Sequence, residues 1–225
     1  MKAPIRGLYA LTPDVAPTER LLAMVRPVLE NGAALLQYRN KAADPQLQHE
    51  QASALLAICR QRNVPLIIND DPLLAARIDA DGVHVGADDA SLVAARQMLG
   101  HGKLIGVSCY NQLDLALSAQ DQTADYVAFG RFFPSTTKPL AVAATLDLLR
   151  TARRQLHVPI VAIGGITLHN APSLINAGAS AIAVISTLYD GPDNAATALQ
   201  FAALFPDGTE RADTHSLNQK TQGMT

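Results

Sequence analysis

Leu66-Ile67-Ile68-Asn69-Asp70-Asp71-Pro72 and, a short helical span later, Gly82-Val83-His84-Val85-Gly86-Ala87-Asp88-Asp89 are two copies of one pattern. A brief β-rich apolar run ends in polar residues that lead into a helix. Working outward in both directions, the same unit recurs, with runs at Gly7 to Leu11, Ala34 to Tyr38, Leu66 to Ile68, Gly82 to Val85, Leu104 to Val107, Tyr126 to Phe129, Ile160 to Ile163 and Ala181 to Ile185. Strands alternating with helices give a parallel sheet. Eight units at a spacing of roughly 25 residues suit a minimal (β/α)8 barrel better than a doubly wound sheet. Thr18 to Glu30 illustrates the helical half, with Leu21, Leu22, Val25, Val28 and Leu29 on one face. Asn31-Gly32 and Ala177-Gly178 read as helix ends.

The chain has 225 residues, 48% of them apolar, and a net charge of −2. That length suits one core, so residues 1–206 are expected to form a single barrel domain and 207–225 a disordered tail without apolar periodicity. No run approaches the roughly 20 apolar residues of a membrane span. Two isolated cysteines, Cys59 and Cys109, signal neither a disulfide framework nor a zinc site. The expectation is a soluble, cytoplasmic protein. Without a basic run or an aromatic platform, nucleic acid and membrane surfaces are poor partners, whereas a small anion met by a few convergent cations fits.

In a barrel of this kind the residues that follow each strand build the site. After the second run, Gln37, Arg39 and Lys41 fall on one side of an extended chain, a polar row on the order of 13 Å long. An amide for a heterocycle edge and two cations for a diphosphate is the chemical reading; a solvated loop accounts for the row as well. Asp71 before Pro72 is explained as a helix N-cap, which leaves Asp70 as the better metal ligand. Asp88-Asp89 in the next unit repeat the pattern, one of them a further cap candidate, and carboxylates from two adjacent strands match the way Mg2+ is held beside a substrate diphosphate. His84 reads as a packed, hydrogen-bonded strand histidine without a catalytic role. Ser108 is either an oxyanion donor or a helix cap. Phe133-Pro134-Ser135-Thr136-Thr137-Lys138-Pro139 carries three hydroxyls and an ammonium group that can wrap a phosphate. Gly164-Gly165 after the seventh run, with Ile185 and Ser186 after the eighth, occupies the recurrent phosphate position of the barrel, where free N–H groups and a helix dipole favour an anion.

Taken in order, Leu36-Gln37-Tyr38-Arg39-Asn40-Lys41, Ile68-Asn69-Asp70, Asp81-Gly82-Val83-His84-Val85-Gly86 with Asp89, Gly106-Val107-Ser108, Phe133-Pro134-Ser135-Thr136-Thr137-Lys138 and Val161-Ala162-Ile163-Gly164-Gly165-Ile166 resemble the thiamine phosphate synthase family, from about Gly7 to Phe205. Ser135, Arg131 and Tyr110 stand where that family usually carries threonine, proline and histidine. The resemblance implies a transferase that condenses a pyrimidine diphosphate with a thiazole phosphate and releases pyrophosphate. It implies Gln37, Tyr38, Arg39, Asn40, Lys41, Asn69, Ser108 and Lys138 as contacts of the pyrimidine diphosphate. Among them Arg39, Lys41, Ser108 and Lys138 would serve catalysis. It implies Ser135, Thr136, Thr137, Gly165, Ile185 and Ser186 as contacts of the thiazole phosphate, and Asp70 and Asp89 as Mg2+ ligands, in a chain that can form homo-oligomers. A thiazole tautomerase of the same fold, or a noncatalytic phosphate-ligand binder, are the competing readings. The first has no use for a metal pair beside a cationic row, and the second has no reason to keep Arg39, Lys41, Asp70, Asp89 and Lys138 together.

Overall fold

A computed structural model gives the architecture and describes residues 5–86, 92–134 and 142–205. Asp89, Ser135, Thr136, Thr137, Lys138 and the tail 207–225 lie outside the described residues. The chain runs β1 (Gly7–Leu11), α1 (Thr18–Glu30), β2 (Ala33–Tyr38), α2 (Pro45–Arg62), β3 (Leu66–Asn69), α3 (Pro72–Ile78), β4 (Gly82–Val85), α4 (Leu92–Leu99), β5 (Leu104–Tyr110), α5 (Leu113–Asp121), β6 (Tyr126–Phe129), α6 (Leu146–Gln155), β7 (Ile160–Ile163), α7 (Ala171–Ala177), β8 (Ala181–Val184), α8 (Ser186–Tyr189) and α9 (Asn194–Ala202). Each strand pairs in parallel with the next, and β8 pairs with β1, closing the barrel. The expected (β/α)8 fold is present.

Alternation along the strands separates two cores. One lies between sheet and helices and takes Leu8, Ala10, Leu36, Ile68, Val83 and Phe129 together with the inner faces of the helices. The other fills the barrel interior with Tyr9, Leu35, Ile67, Leu104, Tyr126, Val161 and Ala181. On α1, Leu21, Val25, Val28 and Leu29 are buried as the helical spacing predicts, while Leu22 sits at the margin. Each buried aliphatic side chain of this kind contributes about 1.5–3 kcal/mol relative to exposure.

Four strands depart from the sequence reading, β2 by beginning one residue earlier at Ala33 and β3 by running one residue further to Asn69. β5 runs on through Ser108 to Tyr110, past a register shift against β6, because β6 continues to offer backbone partners. β8 stops at Val184, since Ile185 turns the chain as the N-cap of the short α8. Ser108 is therefore a strand residue and caps nothing; the cap position of α5 belongs to Gln112. Asp71 does cap α3, accepting from the Leu74 N–H at 2.8 Å with Pro72 in the first turn. No described helix is long and apolar enough to cross a membrane.

Candidate active site

A cleft of about 430 Å3 opens at the C-terminal ends of the strands, floored by Tyr9 and Ala128 and walled by residues of most of the barrel. A second hollow of about 370 Å3 lies beside it between β2, β3 and α2, and Arg39 and Asn69 line both. The alternation read in the sequence holds past the end of β2. Gln37 and Arg39 line the cleft, and Arg39 and Lys41 line the hollow. Tyr38 and Asn40 form part of the hollow's wall, and both also hydrogen-bond to α2. Tyr38 Oη donates to Gln51 Oε1 at 2.9 Å, and Asn40 Nδ2 donates to the same oxygen at 3.1 Å. Gln51, fully buried, thereby braces the strand end from which the two cations project.

Arg39 is fixed by residues the sequence reading did not single out. Its backbone N–H donates to Thr12 Oγ1 at 2.9 Å, and the Thr12 hydroxyl donates to its carbonyl at 3.0 Å. The guanidinium, mostly shielded, faces Asp14 at 3.4 Å. Both partners follow β1, a strand end that obeys the same positional rule as the others. Lys41 Nζ lies 3.2 Å from Asp70 Oδ2, and Asn69 Nδ2 donates to that carboxylate oxygen at 2.6 Å. Lys41 is largely exposed, so this ion pair is worth at most about 1 kcal/mol and is easily parted by a ligand that takes both charges. Asp70 holds φ +59, with its N–H donating to the His84 carbonyl at 2.8 Å. Left-handed backbone is uncommon outside glycine and best tolerated by Asp and Asn. Here it aims a carboxylate at the rim while its neighbour Asp71 caps the helix.

On the opposite side the cleft is lined by Gly164, Gly165, Ile185, Ser186, Thr187 and Asp190. The Thr187 hydroxyl donates to the Ile166 carbonyl at 2.7 Å, which ties α8 to the loop after β7. α8 has only four residues, so the helix dipole expected there is small. The glycine pair has a second reason to exist. Phe132 and Phe133 N–H groups donate to the Ile163 and Gly164 carbonyls at 3.2 and 3.1 Å, laying the segment after β6 along β7. A Cβ on Gly165, at φ +62, would stand 2.2 Å from the Pro134 carbonyl oxygen. The pair thus lets the segment that leads to Ser135–Lys138 reach the same wall as Ser186.

Ser108, half-buried, lines the cleft with its Oγ 2.9 Å from His84 Nε2. His84 is packed and hydrogen-bonded, as its strand position implied, and one of its partners, Ser108, lines the cleft. Tyr110 and Arg131, at the ends of β5 and β6, complete the rim. Among the described residues no group of three or more His, Cys, Asp or Glu side chains could hold a metal. Asp70 lines the hollow and presents a carboxylate, the hard oxygen donor type that Mg2+ takes beside substrate phosphates.

An apolar-walled cleft at the C-terminal ends of the strands, flanked on one side by a hollow lined by Arg39 and Lys41 with Asp70 and Asp71 and on the other by a glycine-lined loop, marks a (β/α)8-barrel enzyme that takes small molecules. A family model described as thiamine monophosphate synthase matches residues 8–188. The thiamine-phosphate synthases of Thiobacillus denitrificans and Methylobacillus flagellatus are 53% and 55% identical to this chain, covering 88% and 90% of it and 94% and 96% of their own lengths. A solved structure of thiamine phosphate pyrophosphorylase from Pyrococcus furiosus aligns with a TM-score of 0.79 at 30% identity, over 89% of this chain and 95% of that one. The chain belongs to the thiamine monophosphate synthase family.

Proposed function

We propose that this enzyme condenses 4-amino-2-methyl-5-(diphosphooxymethyl)pyrimidine with 4-methyl-5-(2-phosphooxyethyl)thiazole to give thiamine phosphate and pyrophosphate. Thiamine phosphate synthesis is the activity of the family, and the observation that carries the division of labour is the wall shared by cleft and hollow. The pyrimidine ring sits in the cleft against Gln37, Asn69 and Ser108, and its diphosphate passes Arg39 into the hollow beside Lys41. The thiazole phosphate rests against Gly165, Ile185 and Ser186, and Ser135, Thr136 and Thr137 are proposed as its further contacts, with Lys138 as a contact of the diphosphate.

The reaction follows from that seating. The bond between the pyrimidine methylene and the diphosphate oxygen breaks, its electron pair leaving with the oxygen, and the cation is stabilised by the aminopyrimidine. The thiazole nitrogen then donates its lone pair to the methylene carbon. That nitrogen carries no proton, so no base is required. Arg39, mostly shielded, and Lys41 line the path of the departing diphosphate and would stabilise the negative charge that grows on its oxygens, and Lys138 is proposed as a third cation for the same charge. Asp70 fits the role of Mg2+ ligand, with Asp89 as the second carboxylate; the ion supplies further charge neutralisation to the departing diphosphate. Parting the Lys41–Asp70 pair frees one charge for the diphosphate and the other for the ion.

The test is incubation of the purified chain with both substrates and Mg2+, following thiamine phosphate and pyrophosphate. Stoichiometric formation of both, abolished by chelation and restored by Mg2+, is the expected result. Pyrophosphate without thiamine phosphate would identify a hydrolase and overturn the reading.

A further inference from the structure

Five side chains from five strands form one hydrogen-bonded line across the barrel beneath the cleft. Gln37 Nε2 donates to Tyr9 Oη at 2.9 Å, Tyr9 Oη meets Tyr126 Oη at 2.7 Å, Tyr126 Oη meets His84 Nδ1 at 3.1 Å, and His84 Nε2 meets Ser108 Oγ at 2.9 Å. Tyr9, Tyr126 and His84 are buried, and the His84 and Tyr126 rings stack at 5.5 Å. The two ends, Gln37 and Ser108, both line the cleft. A methyl group on Gly106 would stand 2.0 Å from the Tyr126 ring, so a glycine in mid-strand leaves the space in which Tyr126 crosses the barrel.

The direction of the line follows from counting protons. With one Tyr9 lone pair taken by the Gln37 amide, the Tyr9 proton has Tyr126 Oη as its acceptor. The Tyr126 proton then goes to His84 Nδ1, and His84 carries its own proton on Nε2, which donates to Ser108. With the Gln37 amide directing Nε2 at Tyr9, a line run the other way would make Tyr9 accept from both sides and strand its own proton in the barrel interior. A buried donor without an acceptor disfavours that arrangement by about tenfold or more. Burial holds both tyrosine hydroxyls in their protonated form well past neutral pH.

We infer that Tyr9, Tyr126 and His84 are positioning residues that fix which hydrogen-bonding face the cleft shows: an accepting carbonyl at Gln37 and a donating hydroxyl at Ser108. Resting on the reading above, this explains how the cleft selects a heterocycle edge that pairs an exocyclic amino group with a ring nitrogen. An edge with donor and acceptor exchanged meets like against like at both ends. Tyr126 is the link whose loss releases His84 to take either tautomer. Loss of the Tyr9 hydroxyl leaves Tyr126 able to donate to His84, so the tautomer persists.

The experiment is 15N NMR of the full chain labelled at histidine, with His84 assigned by its disappearance in His84→Gln. The expected spectrum has the proton on Nε2 and a bare Nδ1, retained in Tyr9→Phe and mixed in Tyr126→Phe. In parallel, inhibition by the unreactive pyrimidine alcohol is compared with that by its 4-oxo analogue, whose edge is inverted. Wild-type protein should prefer the amino form, and Tyr126→Phe should lose roughly tenfold of that preference. A proton on Nδ1, protons on both nitrogens, or an unchanged tautomer in Tyr126→Phe overturns the inference. If that variant does not fold, the wild-type tautomer decides. The tautomer needs no substrate, so absence of turnover with the proton on Nε2 would refute the reaction and leave the positioning line standing.

Discussion

Gly165→Ala tests the close approach on which the phosphate side of the cleft depends, and three glycines allow its cost to be separated into parts. Gly191 has open space where a Cβ would go, so Gly191→Ala should stabilise by about 0.4–1 kcal/mol through the unfolded chain. Gly100 also has open space but holds φ +76, so Gly100→Ala should cost the backbone alone, about 1–2 kcal/mol. Gly165 combines φ +62 with two carbonyl oxygens, of Pro134 and Phe133, at 2.2 and 2.8 Å from the added carbon. Those oxygens are backbone and cannot swing aside, which adds the roughly 1–3 kcal/mol typical of overpacking. The sum is about 2–5 kcal/mol. Urea unfolding followed by circular dichroism orders the three variants, and calorimetric titration with the thiazole phosphate measures the functional share. Relief of the clash pushes the segment after β6 off β7, so Gly165→Ala should bind the thiazole phosphate at least about tenfold more weakly, while Gly100→Ala binds it normally. If Gly165→Ala unfolds no more easily than Gly100→Ala, the packing of that segment against the glycine pair is wrong.

Other outcomes are expected from the same structure. Arg39→Ala should depress single-turnover chemistry, because its charge matters most as the diphosphate departs, whereas Ser186→Ala should mainly weaken thiazole-phosphate binding by about 1–2 kcal/mol; rapid-quench kinetics over a range of each substrate separate the two, and the reverse pattern would exchange their roles. Asp70→Asn, which keeps a residue suited to the left-handed backbone, should raise the Mg2+ concentration needed for turnover without much change in melting temperature, while Asp71→Ala should cost about 1 kcal/mol of stability as a lost cap and leave the Mg2+ requirement alone. Cys59 and Cys109, pushed up to about 12 by burial from an ordinary 9.0, and the buried tyrosines, pushed up from 10.0, ionise more readily unfolded than folded. Their contribution is complete below pH 9 and is lost as pH rises toward the folded values, so stability should fall from about pH 9 upward by as much as ~1.4 kcal/mol per pH unit for each group. Urea midpoints measured from pH 7 to 11 check this, and a flat profile would refute it.

The barrel was legible because its strands are short apolar runs ending in polar residues at even spacing, a pattern read without any tertiary information. The cap at Asp71 was legible for a similar reason, since Asp before Pro is a local instruction. The row Gln37, Arg39 and Lys41 was legible because pleating alternates sides whatever the chain packs against. What escaped were roles set by partners distant in sequence. Tyr9 and Tyr126 read as ordinary β-formers, and only closure of the barrel brings their hydroxyls together. Gly106, a glycine in the middle of an apolar run, was the available signal that another group crosses there. Thr12 and Asp14 follow the first strand, where the positional rule used for the other strands already pointed. Tyr38 and Asn40 line the hollow and also hydrogen-bond to Gln51, a helix residue that no strand pattern could have designated.

The meeting of Tyr9 and Tyr126 also bears on how the chain folds. Their hydroxyls join residues 117 positions apart, so the contact cannot form until β1 and β6 belong to the same ring. Local βα units assemble early on the strength of short-range contacts, while such distant pairings carry the larger loop-closure entropy. The chain has no Trp and five Tyr, two of them at this junction, which makes tyrosine emission an intrinsic clock for ring closure. In refolding experiments, far-ultraviolet dichroism would follow the helices, and a tyrosine phase absent from Tyr126→Phe would time the moment at which an open chain of units becomes a cylinder.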